Sequence, residues 1–128
     1  MNLSFAHIVF NVTDMKRSRV FYEKVLRGFK VMDESEHHAG FSNGQCSVWI
    51  SDQTMKGESY GGMATDKAVG VHHSAWKVET IAELKEWEQY LRSQNIEMSK
   101  GGITDDDFGG QGIFLRDPDN IRFEIHLG

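Results

Sequence analysis

One cysteine and one proline occur among the 128 residues, and neither a long apolar run nor an excess of basic residues is present. The lone Cys46 excludes an intramolecular disulfide and suits a reducing compartment. Lys and Arg number 14 against 19 Asp and Glu, a formal net charge of −5. No basic stripe is left to neutralise a row of phosphates, so nucleic acid is not an expected partner. The opening residues MNLSFAHIVF lack the basic lead of a signal peptide and the apolar length of a membrane span. A cytoplasmic protein with no membrane partner is expected. What is present is ordinary for a globular domain: 39% apolar and 26% charged residues, too apolar for disorder. The length fits one domain, residues 1–128.

The clearest helical stretch runs from Thr80 to about Asn95. Thr80 and Glu83 form a capping box, and Ile81, Leu84, Trp87 and Leu91 recur at helical spacing as one apolar stripe. A shorter helix spans about Met15 to Arg27 between an Asp14 cap and Gly28, with Val20, Phe21, Val25 and Leu26 inward. Strand-like runs surround the first helix at Phe5–Val12, Phe29–Glu34, Gly40–Asn43 and Gln45–Ser51. Others surround the second at Val71–Val78, Ile96–Ser99, Gly112–Arg116 and Ile121–Leu127. Asp117-Pro118-Asp119-Asn120 is a turn by its chemistry. His7–Val12 aligns with His73–Val78, each followed by an amphipathic helix. The reading is an α+β fold of two βαβββ modules, about 1–52 and 70–128, joined by a polar linker at about 53–69. Side by side, the two sheets would curl into an open, mostly antiparallel half-barrel with a concave inner face.

Strands alternate faces with period two, so each has a helix-side and a cavity-side set. In the first strand Ala6, Ile8, Phe10 and Val12 belong with the helix, leaving Phe5, His7, Val9 and Asn11 in the cavity. The Val71 strand leaves His73, Ala75 and Lys77, and the last strand leaves Arg122, Glu124 and His126. His7, His73 and Glu124 therefore meet on one surface. Two imidazoles and a carboxylate can hold one divalent ion (Fe, Mn, Co, Ni or Zn) on one side and leave positions open for oxygen ligands. A lone strand histidine is more often a hydrogen-bonded core residue. Two at equivalent places in a repeat, beside a carboxylate that needs a cation, favour the metal.

The string His7-Ile8, Val12, Asp14, Ser18, Phe21-Tyr22 and Leu26, then Gly70-Val71-His72-His73-Ser74-Ala75-Trp76, then Asp117-Pro118-Asp119-Asn120-Ile121-Arg122-Phe123-Glu124, resembles the vicinal oxygen chelate superfamily. That group includes glyoxalase I, methylmalonyl-CoA epimerase, extradiol dioxygenases, fosfomycin-resistance transferases and bleomycin-binding proteins. The resemblance implies paired βαβββ modules, a homodimer, and a metal that chelates adjacent oxygens of a small-molecule substrate. It places His7, His73 and Glu124 on metal-ligand positions. Glyoxalase-like members carry a fourth ligand, a Glu, where this chain has Trp49. Dioxygenases and fosfomycin transferases carry a Tyr where it has Phe114. The serine- and lysine-rich loop that grips a phosphonate is not evident in Ser99–Gln111, which contains Asp105, Asp106 and Asp107 instead.

The remaining candidates follow from the same face count. His126, two residues beyond Glu124, is the expected acid/base. Arg116 and Arg122 are expected to anchor an anionic substrate, Asn11 to orient a ligand, and Trp49 and Phe114 to form an aromatic wall. His72 is one residue out of phase and should point toward the helix. His37 and His38 are expected in an exposed loop, and Cys46 to face the helix and be inert. The expectation is a metal-dependent enzyme of glyoxalase or dioxygenase type, with lyase, isomerase and oxygenase chemistry all open. The alternative is a non-catalytic small-molecule or antibiotic binder.

Overall fold

A computed structural model describes residues 1–106 and 109–128, in two units, Met1–Gly62 and Met63–Gly128. Asp107 lies outside the described residues. In the first unit, β1 (His7–Asn11) runs parallel to β4 (Ser47–Ser51). Two antiparallel neighbours complete the sheet, β3 (His38–Ser42) and β2 (Lys30–Glu34), in the order β1-β4-β3-β2. Helix α1 (Met15–Val25) connects β1 to β2, and its N-cap Asp14 accepts the Arg17 N–H. In the second unit, β5 (Ser74–Val78) runs parallel to β8 (Arg122–Leu127). Antiparallel β7 (Gln111–Arg116) and β6 (Thr104–Asp105) follow, in the order β5-β8-β7-β6. Helix α2 (Ile81–Ser93) carries the reciprocal Thr80–Glu83 cap, and Asn95 stands at a φ of 57° just past its end. The two strand orders are the same, so the repeat is structural as well as sequential.

Each sheet buries one face against its helix. Ile50, Val48 and Phe41 are fully covered in the first unit, with Tyr22 stacked on Phe10 at 5.6 Å. Leu84, Leu91, Ile113, Leu115, Phe123 and Ile125 fill the second core. Three expectations about packing are corrected. Val25 and Leu26 are buried as expected, but Val20 is exposed and Phe21 half-buried, and the other inward residues of α1 are Met15, Ser18 and Tyr22; small Ser18 lets the helix approach the sheet. Ile81 is exposed because it occupies the first turn of α2, where the capping box faces water. Ile96–Ser99 is not a strand. Its neighbours are claimed by α2 instead: Ile96 N–H donates to Leu91 O, and Ile103 N–H to the Glu88 carboxylate at 2.8 Å, which holds that group below the usual carboxylate range. A 3₁₀ turn at Ser99–Gly101 intervenes before β6. His38 likewise opens β3 rather than sitting in a loop, with its ring nitrogens beside Ser35 and Asp33. His37 is exposed, with Nδ1 2.9 Å from Asp52.

The segment read as linker is strapped to the second unit at its end. Ala64 N–H donates to Asp119 O, and the Asn120 amide donates to Ala64 O at 2.8 Å. Asp117 Oδ1 accepts the N–H groups of Asp119 and Ile121, which fixes the turn that Asn120 completes at a φ of 69°. Arg116 grips both oxygens of Asp66 at 2.8 and 3.0 Å. Among the described residues, no helix is long and apolar enough to cross a membrane.

Two expectations follow for stability. A Cβ at Gly40 would lie 2.7 Å from three atoms of the Trp49 ring on the neighbouring strand, so Gly40→Ala is overpacked. It should destabilise the protein by roughly 1–3 kcal/mol, read from urea unfolding; an unchanged midpoint contradicts this packing. Hydrogen bonds from Arg116 hold the Asp66 carboxyl at about 2, below its ordinary 3.8. A carboxyl depressed by folding stabilises above its ordinary pKa and ceases to do so as pH falls through the depressed one. The stability gap between the unaltered chain and Asp66→Asn should therefore hold steady above about pH 5 and close between about pH 4 and 2. A gap that widens on acidification would contradict the pairing.

Candidate metal centre

Strand β8 lies between β5 and β7, so Glu124 is flanked on both sides, by Ala75 and by Phe114. Its side chain is 6% exposed. Parity along β8 puts Phe123 and Ile125 into the core and Glu124 on the opposite face, within a cavity of about 430 Å³ formed wholly by the second unit. There the carboxylate meets two imidazoles. His73 Nε2 lies 3.0 Å from Oε2, and His126 Nδ1 lies 3.1 Å from Oε1. An ionised carboxylate only accepts hydrogen bonds, so each of these ring nitrogens carries its proton when Glu124 is charged. Glycine makes the space on β7: a Cβ at Gly112 would stand 3.0 Å from Glu124 Oε1 and 2.9 Å from Ile125 O.

Asp106 is a site residue that the face count missed. Its Oδ2 lies 3.6 Å from His126 Nδ1, while Oδ1 accepts the Gly110 N–H at 2.8 Å. Ligand atoms of Asp106, Glu124 and His126 all lie within 4.8 Å of one another. Asp106 follows β6 directly, and the Gly109-Gly110 pair downstream was the available signal. A Cβ at Gly110 would sit 2.7 Å from Oδ2, so glycine is what admits the carboxylate there.

Arg122 and Phe114 line the same cavity, with the guanidinium 5.0 Å from the centre of the Phe114 ring. Phe114 is 9% exposed. Arg116 is not among the lining residues; its guanidinium is committed to Asp66, which raises its pKa further. His72 is also corrected. Both His72 and His73 precede the first residue of β5, so strand alternation does not govern them, and both line the cavity. Their Nδ1 atoms are 2.8 Å apart.

In the first unit, His7 opens β1 on the exposed face with Val9 and Asn11, opposite Ile8 and Phe10. Asn11 ends that strand, paired with Ser51. Trp49 is half-buried over Gly40, and its Nε1–H donates to Ser47 Oγ at 3.0 Å. The registers make the repeat quantitative. Val9 pairs Trp49 and Trp49 pairs Gly40, as Ala75 pairs Glu124 and Glu124 pairs Phe114. Trp49 therefore occupies in the first unit the place that Glu124 holds in the second. Cys46 just precedes β4, half-buried, with its thiol 3.8 Å from Asn43 Oδ1.

The donors of the second unit suit a divalent first-row ion. A nearly enclosed carboxylate oxygen and an imidazole Nε2 face each other at 3.0 Å, a borderline N/O pair. Between 3.0 Å apart and the roughly 3 Å bite of two ligands on one ion, little movement is needed once the His73 proton gives way.

The sequence model of the Glyoxalase/Bleomycin resistance protein/Dioxygenase superfamily matches residues 4–125. The chain is 29% identical over 125 residues to the metallothiol transferase FosB of Staphylococcus saprophyticus, a match covering 98% of this chain and 77% of that protein. It is 28% identical over 127 residues to FosB of Bacillus licheniformis, covering 98% and 76%. Among solved structures, it is similar to lactoylglutathione lyase from Agrobacterium tumefaciens, with a TM-score of 0.74 at 17% identity over 100% of this chain and 96% of that one. The family match leaves almost none of the sequence outside it, and the solved relative shares the fold along the whole chain: the chain belongs to the glyoxalase/bleomycin resistance protein/dioxygenase superfamily and has its α+β, glyoxalase-like fold.

Proposed function

We propose that the chain is a metal-dependent enzyme acting on a small molecule that presents two neighbouring oxygens. His73 and Glu124 are its metal ligands in the second unit, and His7, the repeat partner of His73, is the third. The observation that carries this reading is the enclosed Glu124 carboxylate, aimed at an imidazole Nε2 within an open cavity. When bound, a divalent ion supplies Lewis acidity toward substrate oxygens. The names of the two FosB relatives favour transfer of a thiol to a small acceptor as the reaction class.

The protein's own residues divide the remaining work. Arg122 offers a guanidinium to an anionic group on the substrate, held in place by the Phe114 ring. Phe114 itself excludes water from one wall. His126 keeps a proton at Nδ1 between the carboxylates of Glu124 and Asp106, so in this reading it holds Glu124 Oε1 and leaves Oε2 for the metal.

Calorimetric titration with Zn²⁺ or Mn²⁺ tests the assignment. Glu124→Gln should weaken binding by roughly 10–100-fold or more, with circular dichroism unchanged because the carboxylate lies on the cavity face. His7→Ala should weaken it in the same direction. Equal affinity in the unaltered chain and Glu124→Gln would withdraw the ligand set and leave a metal-independent binder as the reading.

A further inference from the structure

Four groups in the second unit stand in a continuous line of close polar contacts. Arg122 Nη1 lies 3.4 Å from His72 Nε2, the two Nδ1 atoms of His72 and His73 lie 2.8 Å apart, and His73 Nε2 lies 3.0 Å from Glu124 Oε2. The ends of the line fix its direction. A guanidinium can only donate and a carboxylate can only accept. Arg122 therefore donates to His72 Nε2 and His72 Nδ1–H donates to His73 Nδ1, which leaves the one proton of His73 on Nε2, facing Glu124 Oε2.

A ligand imidazole needs the opposite arrangement. For Nε2 of His73 to present a lone pair to a cation, its single proton must sit on Nδ1, and that N–H then needs an acceptor. His72 Nδ1 is the atom in place, provided that His72 carries its own proton on Nε2. Behind that nitrogen stands Asp66 Oδ2 at 4.0 Å, held by the two-pronged Arg116 contact. Arg122 is thus the partner of one tautomer of His72, and Asp66 comes within reach of the other after a shift of about 1 Å.

We propose, resting on the assignment of His73 and Glu124 as metal ligands, that His72 is a positioning residue that sets the tautomer of His73. Cation binding reverses the direction of the line. Each ring holds one proton before and after, so the pair neither releases nor takes up a proton. His73 moves its proton from Nε2 to Nδ1, His72 from Nδ1 to Nε2, and Arg122 loses its acceptor on His72. The guanidinium, still seated over Phe114 and 3.7 Å from Asp66 Oδ2, then has an Nη1 donor to turn toward an anionic group in the cavity.

Zn²⁺ titration of four proteins, with ¹⁵N detection of the imidazoles, tests this. His72→Phe keeps a ring but removes the acceptor and should weaken Zn²⁺ binding by roughly 10–100-fold. His72→Asn places an amide oxygen near the position of Nδ1 and should restore affinity close to that of the unaltered chain. In the Zn²⁺-loaded unaltered chain, the protonated nitrogens should be Nδ1 of His73 and Nε2 of His72; before loading, the reverse. Full affinity in His72→Phe, or equal weakening in His72→Phe and His72→Asn, would overturn the inference. Should His72→Phe fail to fold, the tautomers decide it: His72 protonated on Nδ1 with Zn²⁺ bound would overturn it. Glu124→Gln serves as the control. If it binds Zn²⁺ as well as the unaltered chain, the ligand assignment itself fails; if it is weak while His72→Phe is not, only the present inference does.

Discussion

Solvation is the constraint that organises the second unit. Glu124 stands on a strand paired on both sides and is 5% exposed, so water reaches its carboxylate poorly. A charge in that position is tolerated only with hydrogen-bond donors or a cation at its oxygens. The unit supplies a donor for each oxygen, His73 on one side and His126 on the other, and two glycines clear the backbone around them. Imidazole suits this task better than a lysine or arginine would. It neutralises nothing permanently, so the carboxylate keeps its capacity to bind a metal, and it can turn from donor to ligand by moving one proton.

The repeat shows the same backbone put to two uses. In the first unit, Trp49 occupies the place of Glu124, and Gly40, its cross-strand neighbour, leaves room for the indole. In the second unit the pair is inverted: the carboxylate stands at the first place and the aromatic Phe114 at the second. One register position thus carries an indole in one copy and a carboxylate in the other. Replacing Trp49 by a smaller acidic residue would leave the space above Gly40 unfilled.

Much of this was legible in the sequence because it depends on periodicity. The alternation in His7–Asn11 and Arg122–Leu127, the Thr80–Glu83 cap and the Asp117–Asn120 turn are local, and each stands where spacing put it. What escaped the reading is nonlocal. His72 looked out of phase because alternation was extended past the true start of β5 at Ser74. Arg116 looked available because its partner, Asp66, lies 50 residues away in a segment read as linker. Asp106 was invisible as a site residue because its position depends on a hydrogen bond from the Gly110 N–H, which no face count shows. The strand predicted at Ile96–Ser99 failed for a related reason: the Leu91 carbonyl at the end of α2 takes the Ile96 N–H that a sheet would need.

The central claim is that Glu124 and His73 grip one cation. Anomalous diffraction from crystals grown with Co²⁺ or Zn²⁺ tests it most directly. The account predicts a single strong peak about 2.0–2.2 Å from His73 Nε2 and from a carboxylate oxygen of Glu124. A peak bound by Asp106 and His126 with His73 left outside its coordination sphere, or no peak at this cavity at a saturating concentration of the ion, would contradict it.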